Sequence, residues 1–203
     1  MLKYRLVILP SGNLSSSEGT SSRTLPRAQK GVFISPVAVA LVAVLTALVT
    51  AVTMALAIPF PPTRGFFNLG DSMVFFSALT FGWRAGLVCG GIGSAAADVL
   101  LGYGYFAPVT LVAKGSEGLV AGLFAKMGGG KRNWTIWVGV AVGGLCMVVT
   151  YFVGEVLYYG IGPAIAEVPV NVTQAAVGGS IGVLLSYPVK EMLKRFPRLP
   201  NVL

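Results

Sequence analysis

The feature that most constrains this chain is a series of apolar runs, each long enough or nearly long enough to cross a bilayer. The hydrocarbon core takes about 20 helical residues, with a lower limit of about 17. Stretches such as PFPPTRG and GYGYFAP separate the runs, because proline and glycine end helices. The sequence therefore predicts an all-α, polytopic membrane protein with six transmembrane helices, over residues 36–58, 66–81, 85–101, 109–126, 134–158 and 172–193.

Composition supports membrane embedding. Charged residues make up 11% of the 203-residue chain, against about a quarter in soluble domains. Residues 1–30 are polar, and we interpret them as a flexible cytoplasmic tail preceding one transmembrane domain over residues 31–203. With the N-terminus inside, thirteen of the 15 basic residues lie on the cytoplasmic side, Arg64 lies outside and Lys114 lies within a span. This bias predicts that both termini are cytoplasmic.

Several kinds of chemistry have no residues to support them. The chain contains no histidine, which is the commonest general base and metal ligand. Cys89 and Cys146 both fall in apolar runs, so we expect neither a disulfide framework nor a metal site. The GGGKR stretch lacks the first glycine and the final Ser or Thr of a phosphate-binding loop, and no nucleophile elbow occurs. The sequence thus predicts a protein that is not an enzyme and that holds no metal and no cofactor.

Five charged residues fall inside the predicted spans, where each is costly and needs a reason. They are Asp71, Asp98, Lys114, Glu117 and Glu155. In the predicted topology all five lie in the outer half of the membrane or near its middle, and Lys114 and Glu117 share a helix face. Two explanations remain open: the charges pair with one another, or they line a polar cavity that opens outward.

Aromatic and amide side chains occur near the same ends of the spans. Aromatic walls with a few converging polar groups suit a flat heterocyclic solute. An interfacial aromatic belt explains each tyrosine equally well. The residues concerned are Tyr103, Tyr105, Tyr158, Tyr159, Asn68, Asn171 and Gln174.

Two stripes of small residues recur at four-residue spacing. The first helix carries Ala43, Ala47, Ala51 and Ala55, next to Thr46, Thr50 and Thr53, which predicts a small and mildly polar face. The third carries Gly82, Gly86, Gly90 and Ser94. Small residues let helices approach closely in lipid. We expect the third-helix stripe to pack inside the bundle, while the alanine stripe fits internal packing and docking of another protein equally well.

The motifs NLGD (68–71), GGIGSAAADVLLGY (90–103) and APVTLVAKGSEGLVAGL (107–123) resemble the substrate-binding S component of energy-coupling-factor (ECF) vitamin transporters, in particular the riboflavin-type branch. The resemblance is clearest over residues 65–124 and extends over 36–195. It implies a subunit of the prokaryotic plasma membrane that binds a vitamin from outside. It also implies three partners: a membrane coupling subunit and two cytoplasmic ATPases.

The resemblance also implies site residues. In the family the pocket is built from the loop after helix 1 and from helices 4 to 6, and docking uses an Ala-x-x-x-Ala surface on helix 1. The docking positions here are Ala43, Ala47, Ala51 and Ala55. The pocket positions are Asn68, Asp71, Lys114, Glu117, Glu155, Tyr158, Asn171 and Gln174.

Other functions stay open at this point. Riboflavin is favoured, but nothing separates it securely from a thiamine precursor, pyridoxine or another small vitamin. An autonomous proton-coupled transporter that uses Asp71, Asp98, Glu117 or Glu155 is the main alternative. A membrane enzyme acting on lipid is disfavoured, since no nucleophile constellation is recognisable.

Overall fold

The computed structural model describes residues 36–63, 65–129 and 133–195. Six helices and one short hairpin follow one another along this part of the chain. The helices are α1 (Pro36–Ala55), α2 (Gly70–Phe81), α3 (Trp83–Leu100), α4 (Ala107–Met127), α5 (Asn133–Tyr159) and α6 (Ile161–Lys194). The hairpin comprises β1 (Ile58–Phe60) and β2 (Gly65–Phe67), paired antiparallel with Ile58 opposite Phe67. The predicted tail of residues 1–30 lies outside the described residues.

Four helices begin and end within three residues of the predicted bounds: α1, α3, α4 and α5. Their ends follow the breakers in the sequence. Gly82, for example, adopts a φ of 98° between α2 and α3, a left-handed value that suits glycine. In the described part of the chain, α1, α5 and α6 are apolar and long enough to cross a membrane. Glycine and charged residues make α3 and α4 less apolar than α1 and α5.

The predicted start of the second helix is wrong. Residues 65–67 pair with residues 58–60 as a β-strand, and the helix begins at Gly70. With 12 residues α2 is about 18 Å long, too short to cross the hydrocarbon core. Phe66 and Phe67 are apolar and extend the run in sequence, although the preceding Pro-rich turn places them in a hairpin. The all-α prediction therefore holds apart from this hairpin.

The loop predicted before the sixth helix is also wrong. α6 begins at Ile161, directly after Gly160, and includes Pro163, Pro169 and Glu167. Proline is tolerated in the first turn because the N–H groups there have no helical partner. Pro169 lies in the helix interior, where it removes one backbone hydrogen bond without ending the helix. Glu167 is consequently held on a long helix rather than on a loop.

Helix α2 lies at the centre of the bundle and contacts α1, α3, α4 and α6. Phe75 and Leu79 of α2 pack with Ile136 and Val140 of α5 and Val183 of α6. Glycine allows the closest approaches: a Cβ at Gly86 of α3 would lie 2.6 Å from the carbonyl oxygen of Gly118 in α4. Gly86 and Gly90 of the stripe thus pack inside the bundle, as expected from the sequence, whereas nothing lies within 4 Å of a Cβ placed at Gly82.

The alanine stripe of α1 does not pack inside the bundle. Ala43, Ala47, Ala51 and Ala55 are all exposed, whereas Leu45, Val49 and Thr53 on the other face are buried. The mildly polar character predicted for this face is wrong. The Thr46 hydroxyl donates to the Val42 carbonyl oxygen (2.8 Å), the Thr50 hydroxyl reaches the Gly93 carbonyl oxygen of α3 (2.8 Å), and Thr53 faces inward. The exposed stripe is therefore smooth and apolar.

Candidate functional site

A buried ion pair joins α4 to α2 near the end of the bundle that carries the hairpin. Lys114 of α4 donates a hydrogen bond to the Asp71 carboxylate of α2. The Lys114 Nζ also lies 3.5 Å from Oε2 of Glu117, one turn further along α4. All three residues are at most 1% exposed, so each charge depends on the others.

Gln174 of α6 connects this ion pair to the segment that follows the hairpin. Its amide nitrogen lies 3.3 and 3.4 Å from the two carboxylate oxygens of Asp71. Its amide oxygen accepts a hydrogen bond from the backbone N–H of Asn68 at 2.8 Å. The Asn68 side chain in turn accepts from the Gly70 N–H (2.8 Å), at the start of α2. The network thereby links α2, α4, α6 and the segment between the hairpin and α2.

A small polar cavity lies beside this network, with a free volume of about 30 Å³. That space accommodates one or two water molecules, so a larger ligand needs its walls to move apart. The walls come from the hairpin, from every helix except α2, and from the segments that precede α2 and α4. The residues are Thr53, Gly65, Phe66, Asn68, Ser94, Asp98, Tyr103, Phe106, Thr110, Lys114, Tyr151, Glu167, Asn171 and Gln174.

The hairpin covers one side of the cavity. The Phe66 ring packs against Tyr103, with centroids 5.1 Å apart. Gly65 lies directly over Glu167 of α6, since a Cβ there would come within 2.6 Å of the carboxylate Oε1. On another side Phe106 and Tyr151 are stacked, with centroids 5.9 Å apart and planes 12° apart. These rings give the cavity flat aromatic surfaces.

The eight predicted pocket residues separate into three groups. Four line the cavity directly, as listed above: Asn68, Lys114, Asn171 and Gln174. Asp71 and Glu117 lie behind Lys114 as its partners.

Glu155 lies behind Asn171, whose amide nitrogen is 3.4 Å from the Glu155 Oε1. Tyr158 does not line the cavity. It is 48% exposed, and its ring packs in an aromatic cluster with Tyr105 and Tyr159. The Tyr158 ring also packs against the wall residue Phe106, with centroids 5.6 Å apart, so Tyr158 lies outside the cavity wall rather than in it.

Several cavity residues were missed as site residues. Asp98 is one of the charges within the predicted spans, and Glu167 falls between the predicted fifth and sixth spans. A carboxylate inside an apolar run was the available signal for Asp98. Thr53, Ser94, Thr110, Phe106 and Tyr151 have no comparable signal, because hydroxyl and aromatic residues are common within membrane helices.

The cavity walls contain oxygens whose hydrogen-bonding capacity is unused. Within the described residues, Thr53 Oγ1, Ser94 Oγ, Asp98 Oδ2 and Glu167 Oε2 have no hydrogen-bond partner. Each of these four residues is at most 5% exposed. Buried polar atoms are normally paired, so these atoms are available to a ligand. No group of three or more potential metal ligands occurs in the described ranges.

Comparison with known proteins places these features in context. Residues 33–191 match the family model described as the ECF-type riboflavin transporter, S component. An uncharacterized protein from the gap 3′ region of Pyrococcus woesei is 41% identical over 146 residues, which covers 71% of this chain and 96% of that protein.

The thiamine precursor transporter HmpT of Lactococcus lactis subsp. cremoris (strain MG1363) is 29% identical over 147 residues, 72% of this chain and 83% of that protein. A solved structure of the S component of a bacterial ECF transporter aligns with a TM-score of 0.61. It is 20% identical and covers 78% of this chain and 98% of its own, so it supports the fold.

Proposed function

This chain belongs to the family of ECF-type riboflavin transporter S components, and from this premise we propose that it is the vitamin-binding subunit of an ATP-driven importer. S components are membrane-embedded transporter subunits of prokaryotes and are not enzymes. We propose that this one captures a small heterocyclic vitamin or precursor outside the cell and releases it inside. The cavity beside Lys114 carries this proposal, because it combines aromatic walls with converging polar groups.

The identity of the vitamin is part of the proposal. The family description favours a riboflavin-like ligand. The similarity to HmpT favours a thiamine precursor instead. Mass spectrometry of small molecules that co-purify with the detergent-solubilised protein tests the proposal directly. We expect one vitamin-like heterocycle at near-stoichiometric amounts; absence of any such ligand, together with no binding of added vitamins, would contradict vitamin capture.

The energy for transport is proposed to come from partners. The cavity residues provide binding groups, and the sequence has no phosphate-binding loop. We propose that a membrane coupling subunit with two cytoplasmic ATPases docks on the exposed stripe Ala43, Ala47, Ala51 and Ala55. A side of α1 without large side chains lets partner helices lie close to its backbone.

Substitution of two stripe residues tests docking. Ala47→Leu with Ala51→Leu should abolish co-purification with the coupling subunit and vitamin uptake while leaving ligand binding unchanged. The matched control is Ala141→Leu with Ala176→Leu, which adds the same volume at exposed positions of α5 and α6. Equal assembly of both double variants would rule out docking through the stripe.

A second experiment separates this mechanism from proton-coupled transport. Liposomes that contain this chain alone should accumulate no vitamin, with or without a proton gradient. Uptake that an uncoupler abolishes would favour the autonomous transporter and overturn the importer proposal.

A further inference from the structure

Two carboxyl groups meet at the side of the cavity that the hairpin covers. Glu155 of α5 and Glu167 of α6 form a hydrogen-bonded pair with each other. They are 1% and 5% exposed, so water outside the bundle does not solvate them. An ionised carboxylate has no proton to donate, so a hydrogen bond between two carboxyl groups requires that one of them is protonated.

The described surroundings supply this pair with an amide donor and no cation. The Asn171 amide nitrogen lies 3.4 Å from the Glu155 Oε1. No ion pair in the described ranges includes Glu155 or Glu167. Lys114 of α4, which also lines the cavity, donates to Asp71 instead. Two adjacent buried negative charges without a cation repel each other, so one shared proton is the stable arrangement.

The other titratable groups around the pair do not replace that proton. Apart from Lys114, those that line the cavity are Asp98 of α3, Tyr103, and Tyr151 of α5. Asp98 would add a negative charge, and tyrosine is neutral over most of the pH range in which proteins are stable. The described hairpin residues carry no charge, and Arg64, between the two strands in sequence, lies outside the described residues.

The hairpin lies directly on one member of the pair. A Cβ at Gly65 of β2 would come within 2.6 Å of the Glu167 Oε1, so the strand backbone covers this carboxyl group. A ligand needs the cavity walls to move apart, because the free volume is about 30 Å³. When the hairpin moves away from Glu167, water reaches the pair, both carboxyl groups can ionise, and the shared proton passes to the solvent.

We propose that Glu155 and Glu167 form a proton-binding site that couples closure of the hairpin to the uptake of one proton. The closed form holds one proton between the two carboxyl groups, and opening releases it to water. Because opening releases a proton, the equilibrium shifts toward the open form as the pH rises and toward the closed form as the pH falls. The proton enters and leaves through the same opening, so no proton crosses the membrane.

The first test counts the proton by infrared spectroscopy of the purified full-length chain at neutral pH, since the C=O stretch of a protonated carboxyl group is separate from that of a carboxylate. Glu155→Gln and Glu167→Gln should each remove the intensity of one protonated carboxyl group, because the new amide donates to the remaining carboxylate. The double variant should remove no more than either single variant. Glu191→Gln is the matched control, because this carboxylate pairs with Lys194 on the exposed surface of α6. It should leave the band unchanged.

The second test follows the hairpin by hydrogen–deuterium exchange of residues 58–67 in the same detergent. In the wild type, amide protection corrected for the intrinsic exchange rate should fall by about tenfold or more between about pH 6 and about pH 9. Both single variants keep a neutral donor between Glu155 and Glu167 at every pH. Their protection should therefore change by about twofold or less over the same range.

Each outcome decides the proposal. Unchanged infrared intensity in both single variants would mean that both carboxyl groups are ionised, with Arg64 as the available cation, and would overturn proton binding. Twice the loss in the double variant would overturn the single shared proton. Equal pH dependence of hairpin protection in the wild type and the variants would overturn the coupling to closure. If Glu155→Gln does not elute as a monodisperse species, Glu167→Gln carries both measurements. No vitamin enters either experiment, so these results are independent of the proposed function.

Discussion

At the scale of the residue, Lys114 is the charge on which the buried network depends. It is 1% exposed and contacts both Asp71 and Glu117. Removing one partner of such a network leaves uncompensated charge in a medium where solvation is poor. Replacing the whole network with apolar groups does not carry this cost, because no buried charge is left without a partner.

We expect Lys114→Met to lower the free energy of unfolding by about 3–5 kcal/mol, since Asp71 and Glu117 lose their cation. Lys194→Met is the control: its partner Glu191 is exposed, and surface pairs contribute about 0–1 kcal/mol. Unfolding in mixed micelles, followed by circular dichroism, measures both. Equal stability of the two variants would mean that the buried pair does not stabilise the fold.

Two tyrosines near the cavity should respond differently to substitution. Tyr151 is 8% exposed, lines the cavity and has its hydroxyl 3.3 Å from the Thr110 hydroxyl. Tyr158 is 48% exposed and lies outside it. Tyr151→Leu should therefore weaken ligand binding by about tenfold, the order expected for loss of an aromatic wall.

Tyr158→Leu removes the same kind of ring from the exposed cluster and should leave the affinity within about twofold of wild type. Titration of the co-purified ligand into each purified variant compares them. If Tyr158→Leu has the larger effect, the cavity described here is not where the ligand binds.

At the scale of the element, the two small-residue stripes have opposite roles although their spacing is the same. Gly86 of α3 faces α4 and α2, where a Cβ would lie 2.6 Å from both the Gly118 carbonyl oxygen and the Ala78 Cβ. Ala47 and Ala51 of α1 face outward. The four-residue spacing predicts a helix face without large side chains. It does not predict whether that face packs inside the bundle or stays exposed, because this depends on tertiary packing.

Gly86→Ala should destabilise the bundle by about 1–3 kcal/mol, because the added methyl group forces α3 away from α4. Gly162→Ala is a suitable comparison, since nothing lies within 4 Å of a Cβ there and its φ is not left-handed. That substitution should be neutral or stabilising by up to about 1 kcal/mol. Thermal unfolding of the two variants in the same detergent distinguishes them, and a stable Gly86→Ala would contradict the close approach of α3 to α4.

The sequence predicts the helices well where hydropathy and breakers agree, as in α1, α3, α4 and α5. It fails at α2 and α6, where the two signals conflict: apolar Phe66 belongs to a strand, and Pro163 and Pro169 lie in a helix. Buried charges such as Lys114 and Asp71 could be identified because lipid penalises them. Cavity residues such as Thr53 and Tyr151 could not, since their role arises from contacts between distant parts of the chain.

At the scale of the whole molecule, the distribution of charge predicts the orientation in the membrane. The hairpin and the cavity lie at one end of the bundle, and the α2–α3 and α4–α5 connections lie at the other. Most basic residues flank the second end or the chain termini. The positive-inside rule therefore predicts that the hairpin faces the outside of the cell and that both termini are cytoplasmic.

Cysteine accessibility in intact cells tests this orientation. In a background with Cys89→Ala and Cys146→Ala, Pro62→Cys lies on the exposed hairpin turn and Glu191→Cys near the end of α6. A membrane-impermeant maleimide should label Pro62→Cys in intact cells and Glu191→Cys only after the cells are permeabilised. The reverse pattern would put the cavity on the cytoplasmic side. A cavity there could not capture a solute from outside, so import through this site would be excluded together with the orientation.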